Sequence, residues 1–449
     1  MIRTHVASSR PLPQVRLPDS PYVAYAYSYP HKTAYRPLTP PRMLRDVWRD
    51  EPKDSLFLYM HVPFCEMRCG FCNLFTSANA RGETMAPYIS AVERQAEATA
   101  DAVGLHQISR MAIGGGTPTF LQPAQLEGLL QISHRYHGVA PGSIPISVET
   151  SPRTASLDRL GLLKDFGVSR ISIGVQSFLE SEVTASARAQ KNEWVENALS
   201  NIRSLQFPLL NIDLIYGLPG QSVESWLQSL RAAMRWTPEE LYLYPLYVRP
   251  LTGLDRRGCA AHDQLRLDCY RAGRELLESE GYEQVSMRMF RRANSPATDD
   301  PVYCCQEDGM IGLGCGARSY TRLLHYSTDF AVTSTAVNEI IADFTGKTYE
   351  AFSIADYGCE VTDSEQRRRW VIKSLFRTSG FDRGSYRSSF GQDVLDDMPL
   401  LCEFAADGYL EIDDQWIRPS ASGLERSDAL APMLFSPQVR ASMAAFDLR

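Results

Sequence analysis

The chain has 449 residues, 44% of them hydrophobic and 22% charged, with a formal net charge of −7. That balance suits a globular protein of two or three domains. It argues against a nucleic-acid binder, which usually carries a basic face. No stretch approaches the ~20 apolar residues of a membrane helix. The N-terminus carries Arg3, His5 and Arg10 but no apolar signal core, so a cytoplasmic location is expected, away from membranes. Ten cysteines in such a chain are expected to be thiols, not a disulfide framework.

Residues 1–50 are rich in Pro and Tyr (Tyr22, Tyr25, Tyr27, Tyr29 and Tyr35 among them) and lack periodicity. They predict an extended arm packed on the surface. From residue 55 short apolar runs alternate with amphipathic stretches. The runs predict strands at Leu56–Val62, Arg110–Gly114, Ile144–Glu149, Ser169–Val175, Leu210–Tyr216 and Leu241–Tyr247. Helices are expected at Met85–Val103, Pro123–His137, Val223–Trp236 and Gln264–Gly281. Strand–helix alternation means a parallel α/β sheet. Six repeats fit a partial (β/α)6 TIM-like barrel over residues 51–295, with its site at the strand C-termini. Residues 296–355 form a less regular connecting region with Gly309–Gly316 at its centre. Residues 356–449 predict a smaller winged-helix-like unit, with helices at Ser364–Thr378 and Pro399–Asp407 and a hairpin at Tyr409–Arg418.

The most specific chemistry lies in the loop after the first barrel strand. Cys65, Cys69 and Cys72 stand at C-x3-C-x2-C spacing inside the run from Tyr59 to Cys72. A [4Fe–4S] cluster is normally held by four thiolates; three leave one iron open for an exchangeable ligand. A structural zinc site would need a second pair of ligands, and none stands nearby. Gly114-Gly115-Gly116-Thr117-Pro118 ends the second strand, where glycines permit close backbone approach to a ligand. Glu149, Gln176 and Asp213 sit on or just after later strands, and Arg188 is near Gln190 in the helix expected after Gln176. Each alone reads as a cap or a ladder-end hydrogen bond; together they mark one rim.

These motifs resemble the radical S-adenosylmethionine (SAM) enzymes. The nearest branch is the one holding oxygen-independent coproporphyrinogen III dehydrogenase, haem chaperones, and class C methyltransferases and cyclopropanases. The resemblance runs from about residue 54 to the C-terminus through Tyr59–Cys72, Gly114–Thr119, Gly174–Phe178 and Asp213–Pro219. It implies a [4Fe–4S] cluster on the three cysteines, SAM as cosubstrate, an electron donor such as flavodoxin or ferredoxin, and a small-molecule substrate. It also implies two SAM molecules. Tyr59, Gly115, Glu149 and Ala317 match positions lining one. Phe71, Gly116, Thr117, Gln176, Arg188, Asp213 and Tyr247 match positions lining the other. On this footing the expected reaction is methyl or methylene transfer from the second SAM to an sp² carbon.

Two other outcomes belong to the same branch. Oxidative decarboxylation of coproporphyrinogen III needs carboxylate-binding arginines, for which Arg288, Arg291 and Arg292 are candidates against a plain solvated basic face. A haem chaperone needs an axial ligand, for which His325 or a cysteine is the candidate. Asn73 and Leu74 follow Cys72 where the coproporphyrinogen enzyme resembles C-x3-C-x2-C-x-C, and the chaperones share that departure.

Overall fold

The computed structural model describes residues 17–26, 28–78, 82–295, 309–375 and 377–449. Tyr27, Cys304, Cys305 and the rest of 296–308 lie outside the described residues. One sheet of thirteen strands dominates. In chain order its strands are β1 (Arg36–Met43), β2 (Leu56–Val62), β3 (Ile108–Gly115), β4 (Ile146–Thr150), β5 (Arg170–Gln176), β6 (Leu209–Tyr216) and β7 (Glu240–Pro245). There follow β8 (Tyr282–Gln284), β9 (Met289–Arg292), β10 (Met310–Leu313), β11 (Arg318–Tyr320), β12 (Leu324–Ser327) and β13 (Ile354–Glu360). Their order across the sheet is β1-β13-β12-β11-β10-β2-β3-β4-β5-β6-β7-β9-β8.

Strands β2 to β7 run parallel in sequence order, giving the six strand positions expected of the partial barrel. Parallel strands covered on both faces read as continuous apolar runs. In β2, six of seven residues are buried and only Tyr59 is partly open. Helices return the chain between strands: α1 (Gly82–Val103), α2 (Pro123–His137), α3 (Leu157–Asp165), α4 (Asn192–Ser204), α5 (Val223–Met234) and α6 (Asp263–Ser279). The bounds of α2 are set by its ends. Gln122 and Pro123 open it, the Gln122 amide donates to Gln125 Oε1 at 3.0 Å, and Gly138 stops it at φ +68°. Its buried face includes Leu126, Leu129, Leu130 and Ser133, a helical spacing turned onto α1, with the leucines in the main core. Truncating Leu126 to Ala would cost about 2–5 kcal/mol.

The connecting region does more than connect. β10 pairs parallel to β2, and β11 and β12 follow antiparallel, widening the sheet beyond the barrel. All four residues of β10 are buried, a run too short to show a period in sequence. The arm is likewise more ordered than a surface strap. Its end becomes β1 on the sheet edge, paired with β13. Upstream, Ala26, Tyr29 and Ala34 are buried in a second core with Val371, Ile372, Tyr386, Leu401, Phe404, Ile417 and Phe435 of the C-terminal region. There the three-stranded sheet of β14 (Phe381–Asp382), β15 (Leu410–Ile412) and β16 (Trp416–Pro419) carries the expected hairpin between β15 and β16. Among the described residues no helix is long and apolar enough to cross a membrane.

Candidate active site

The C-terminal ends of β2 and β3 set the site. Past β2 the chain turns through Pro63 into the cysteine loop, which backbone bonds anchor to the rim. Gly70 N–H donates to Ser186 O at 3.0 Å, and Gly70 O accepts from Leu254 N–H at 2.8 Å. A Cβ on Gly70 would stand 2.7 Å from Ser186 O, so only glycine fits that approach. Cys72 N–H closes a turn onto Cys69 O at 3.1 Å. Thr117 Oγ1 donates to Cys65 Sγ at 3.5 Å, and Arg188 Nη1 to Cys69 Sγ at 3.0 Å.

Burial pushes the Cys65 thiol up to about 12; Thr117 pulls against it, and the Cys72 and Cys69 sulfurs push it further. Cys72 is raised by burial and by Cys69. The three sulfurs thus share one electrostatic neighbourhood, and Cys65 and Cys72 are held as thiols until a metal displaces their protons. Among the described residues no trio of donors is already closed to metal-bonding geometry. The donor set fits an iron–sulfur cluster: three cysteines on one tethered loop, each sulfur beside an N–H or O–H group of the kind that tunes such clusters, Thr76 Oγ1 lying 3.8 Å from Cys72 Sγ.

The glycine run seats neighbours. A Cβ on Gly115, which has φ +111°, would strike the His61 ring at 2.4 Å, and one on Gly114 would strike the Glu149 carboxyl at 2.8 Å. One on Gly116 would meet Phe64 O at 2.7 Å. Gly115 N–H donates to Glu149 Oε2 at 3.0 Å. His61 Nε2 lies 3.0 Å from Phe75 O, which can only accept, so that nitrogen carries the proton. Its Nδ1 then accepts from Tyr59 Oη at 3.2 Å. Burial lowers His61 to about 4, which keeps it neutral.

Farther round the rim, Gln176 ends β5 with φ +69°, and its amide nitrogen folds back over Gly174, 2.7 Å from where a Cβ would be. Arg188 Nη2 donates to Gly174 O at 2.6 Å and its Nε to Gln190 Oε1 at 2.9 Å. On the lumen floor Asp213 accepts from Asn211 Nδ2 at 2.8 Å and from Ser172 Oγ at 3.2 Å. Burial raises Asp213 to about 6, against Asn211, Arg170 and Ser172, which lower it. Glu149 lines the same lumen, open to solvent there yet ringed by protein. That confinement raises it to about 7, Gly115 N–H lowers it, and Asp213 adds to the rise.

The structure therefore brings together most of the residues singled out from sequence. Tyr59 and Gly115 meet at His61, and Glu149 is held on the Gly115 N–H; Thr117, Gln176 and Arg188 meet around the sulfurs and Gly174. Ala317 is buried beside Gly316, where a Cβ would come 3.0 Å from His61 Nε2. Phe71 packs with Ile215, Leu218 and Leu254. Tyr247 stands apart, its hydroxyl donating to Asp428 Oδ2 in the C-terminal region. His61, Ser172 and Asn211 were missed. Their signal is a polar residue inside an otherwise buried strand.

Two expectations fall. Arg288, Arg291 and Arg292 are neither a solvated face nor open carboxylate binders. Arg288 is buried against Asp428, while Arg291 and Arg292 pair with Glu240 and Glu239, each at 3.2 Å. His325 is fully buried on β12, its Nε2 3.2 Å from Arg369 Nη1, and burial holds it well below its ordinary pKa. A haem iron has no path to that ring.

A three-cysteine loop at the mouth of a partial parallel barrel, beside a glycine run and two lumen carboxylates, defines a class, and residues 59–233 match the radical SAM superfamily. The chain belongs to the radical SAM superfamily, which implies a [4Fe–4S] cluster and cleavage of SAM. Within it, the chain is 28% identical over 391 residues to the oxygen-independent coproporphyrinogen III oxidase of Escherichia coli K12, covering 83% of both chains. It is 32% identical over 273 residues to the haem chaperone HemW of the same organism, covering 58% of this chain and 69% of that one. The solved coproporphyrinogen III oxidase HemN of Escherichia coli superposes with a TM-score of 0.73 at 26% identity, over 87% of this chain and 92% of that one.

Proposed function

We propose that the chain is a radical SAM enzyme acting on a tetrapyrrole, with oxidative decarboxylation of a coproporphyrinogen-type propionate side chain as the leading outcome. The observation that carries it is likeness to a coproporphyrinogen III oxidase over 83% of both chains. The cluster would supply the electron that cleaves SAM to methionine and a 5′-deoxyadenosyl radical, fed by a reductant such as flavodoxin or ferredoxin. The protein's own groups bind and orient. Thr117 and Arg188 donate to the cysteine sulfurs. Glu149 and Asp213 would offer carboxylates to hydroxyl and ammonium groups of SAM in the lumen.

Methyl or methylene transfer, the outcome expected from the two matched residue sets, gives way as the main reading because the oxidase and chaperone relatives above are named for tetrapyrrole chemistry. It stays as a second reading on the same class of substrate. What favours it is that Glu149 of one set and Asp213 of the other face a common lumen closely enough to raise the Glu149 pKa. A non-catalytic haem chaperone loses its candidate histidine, since His325 is buried against Arg369.

The test is an anaerobic reaction with coproporphyrinogen III and methyl-deuterated SAM. Decarboxylation predicts carbon dioxide with unlabelled 5′-deoxyadenosine. Methyl transfer predicts deuterium in 5′-deoxyadenosine and formation of S-adenosylhomocysteine. Tight haem retention with neither product would overturn the enzymatic reading.

A further inference from the structure

Arg188 and Gln190 lie in the link between the short helix Glu180–Ala185 and α4, not within a helix as expected. Arg188 makes three hydrogen bonds there. Nη1 meets Cys69 Sγ at 3.0 Å, Nη2 meets Gly174 O at 2.6 Å, and Nε meets Gln190 Oε1 at 2.9 Å. Among the described residues no carboxylate forms an ion pair with Arg188. Glu66, on the same loop as Cys69, pairs with Arg153 at 3.5 Å instead. The aim of the guanidinium at Cys69 therefore rests on a backbone carbonyl and on the Gln190 amide.

Gln190 is held so as to fix that aim. It is 6% exposed, and its Nε2 donates to Val175 O at 2.9 Å and to Ser177 O at 3.1 Å. Both carbonyls can only accept, so the nitrogen faces them and Oε1 faces Arg188 Nε. Val175 and Ser177 flank Gln176, whose φ is +69°, so one amide grips that turn from both sides and the guanidinium beyond it. The anchor beneath is tied down in turn. Ser177 Oγ donates to Glu182 Oε2 at 2.6 Å and accepts from Leu179 N–H at 3.0 Å. Glu182, itself buried, also accepts from Ser225 Oγ at 2.6 Å and from Gln221 Nε2 at 2.9 Å, which binds the loop after β5 to the loop after β6. An arginine stem is long and flexible, and a neighbour fixed in this way is what keeps its head in one place.

We propose that Gln190 is a positioning residue that holds the Arg188 guanidinium against Cys69 and so raises the reduction potential of the cluster on that loop. The cluster becomes more negative when it takes up an electron from the external reductant. A cation that donates an N–H to a ligating sulfur favours that reduced state. Arg188 makes the contact, and Gln190 acts only through Arg188. The inference needs the radical SAM class alone and is independent of the tetrapyrrole reading, because the electron enters the cluster before any substrate reacts.

The test is a spectroscopic redox titration of the anaerobic, cluster-loaded full chain in the absence of SAM, with iron content measured beside it. Arg188→Ala should lower the equilibrium constant for one-electron reduction by about 10-fold, a shift of about 59 mV to more negative potential. Gln190→Ala should keep its iron and lower the constant by about 3-fold or more, the effect of a charge-assisted hydrogen bond no longer held in place. In the Arg188→Ala background, Gln190→Ala should add nothing further. Gln190→Met, which fills the same space without hydrogen bonds, should behave as Gln190→Ala does. A wild-type potential in Gln190→Ala overturns the proposal, and so do shifts that add in the double variant. If Gln190→Ala loses its iron, Gln190→Met decides. Iron retained at a lowered potential supports the proposal. An unshifted potential overturns it, and iron lost from both variants makes Gln190 a structural residue of the rim and overturns it too.

Discussion

The cysteine loop and the N-terminal arm lie at the same open end of the barrel but are held by opposite means. The loop is a short segment fixed by backbone bonds at Gly70, Cys72 and Thr117, with its chemistry written in three residues of one type. The arm is fixed by side chains reaching across the whole chain. Tyr29 Oη donates to Glu365, accepts from Ser436 N–H at 3.0 Å, and its ring packs on Phe435 at 5.0 Å. Local spacing therefore announces the cysteine loop, whereas the arm's contacts exist only after folding. The loop is thus a local feature, and the arm's place depends on the rest of the fold.

The largest expected effect breaks the loop alone. Replacing Cys65, Cys69 and Cys72 with Ala should abolish the iron–sulfur absorption near ~400 nm and leave the arm and second core folded, as judged by circular dichroism. About four irons per chain retained in that variant would refute the assignment. Next comes the junction of barrel, arm and C-terminal region. Asp428→Ala leaves Arg288 buried at 3% exposure without its carboxylate and strips Tyr247 of its acceptor. A loss of about 3–5 kcal/mol in unfolding free energy is expected, with faster proteolysis of the arm. A loss below about 1 kcal/mol would show that the junction does not hold the arm.

A smaller effect separates binding from assembly on the loop side. Arg188→Ala or Asp213→Ala should raise the SAM requirement by about 10-fold or more, the loss of one or two charge-assisted hydrogen bonds, with iron content unchanged. Loss of iron in both, with SAM affinity intact, would make them structural. The smallest effect is a pH signature. Glu149 is held near 7 in the folded apo chain against an ordinary 4.5, so its ionised form opposes folding above about 7. Glu149→Gln should raise the apo Tm at pH 8 by about 1 °C, since water in the lumen screens the penalty. At pH 4.5 the gain should shrink toward zero, where the folded carboxyl is protonated. An equal gain at both pH values would mean a packing effect.

The contrast also explains what sequence alone could yield. The six strands of the barrel were legible because covered parallel strands leave unbroken apolar runs, and α2 because Pro123 and Gly138 mark its ends. β10 was not, since four buried residues carry no period. The cysteines stood out through their spacing, and Glu149, Arg188 and Asp213 were singled out only through the family resemblance. His61 was hidden because its importance lies in a Gly115 that must make room for its ring. Arg288 and His325 misled for a related reason: both look available in sequence and are matched by Asp428 and Arg369, residues 140 and 44 positions away. Pairings of that range leave no local trace.

The central claim, that the Cys65–Cys72 loop drives SAM cleavage at this rim, has one direct measurement. The anaerobically reconstituted full chain, given a strong reductant and SAM, should release 5′-deoxyadenosine and methionine in equal amounts, and the triple cysteine-to-alanine variant should release neither. A wild type holding its full complement of iron, binding SAM and producing no 5′-deoxyadenosine would contradict the account.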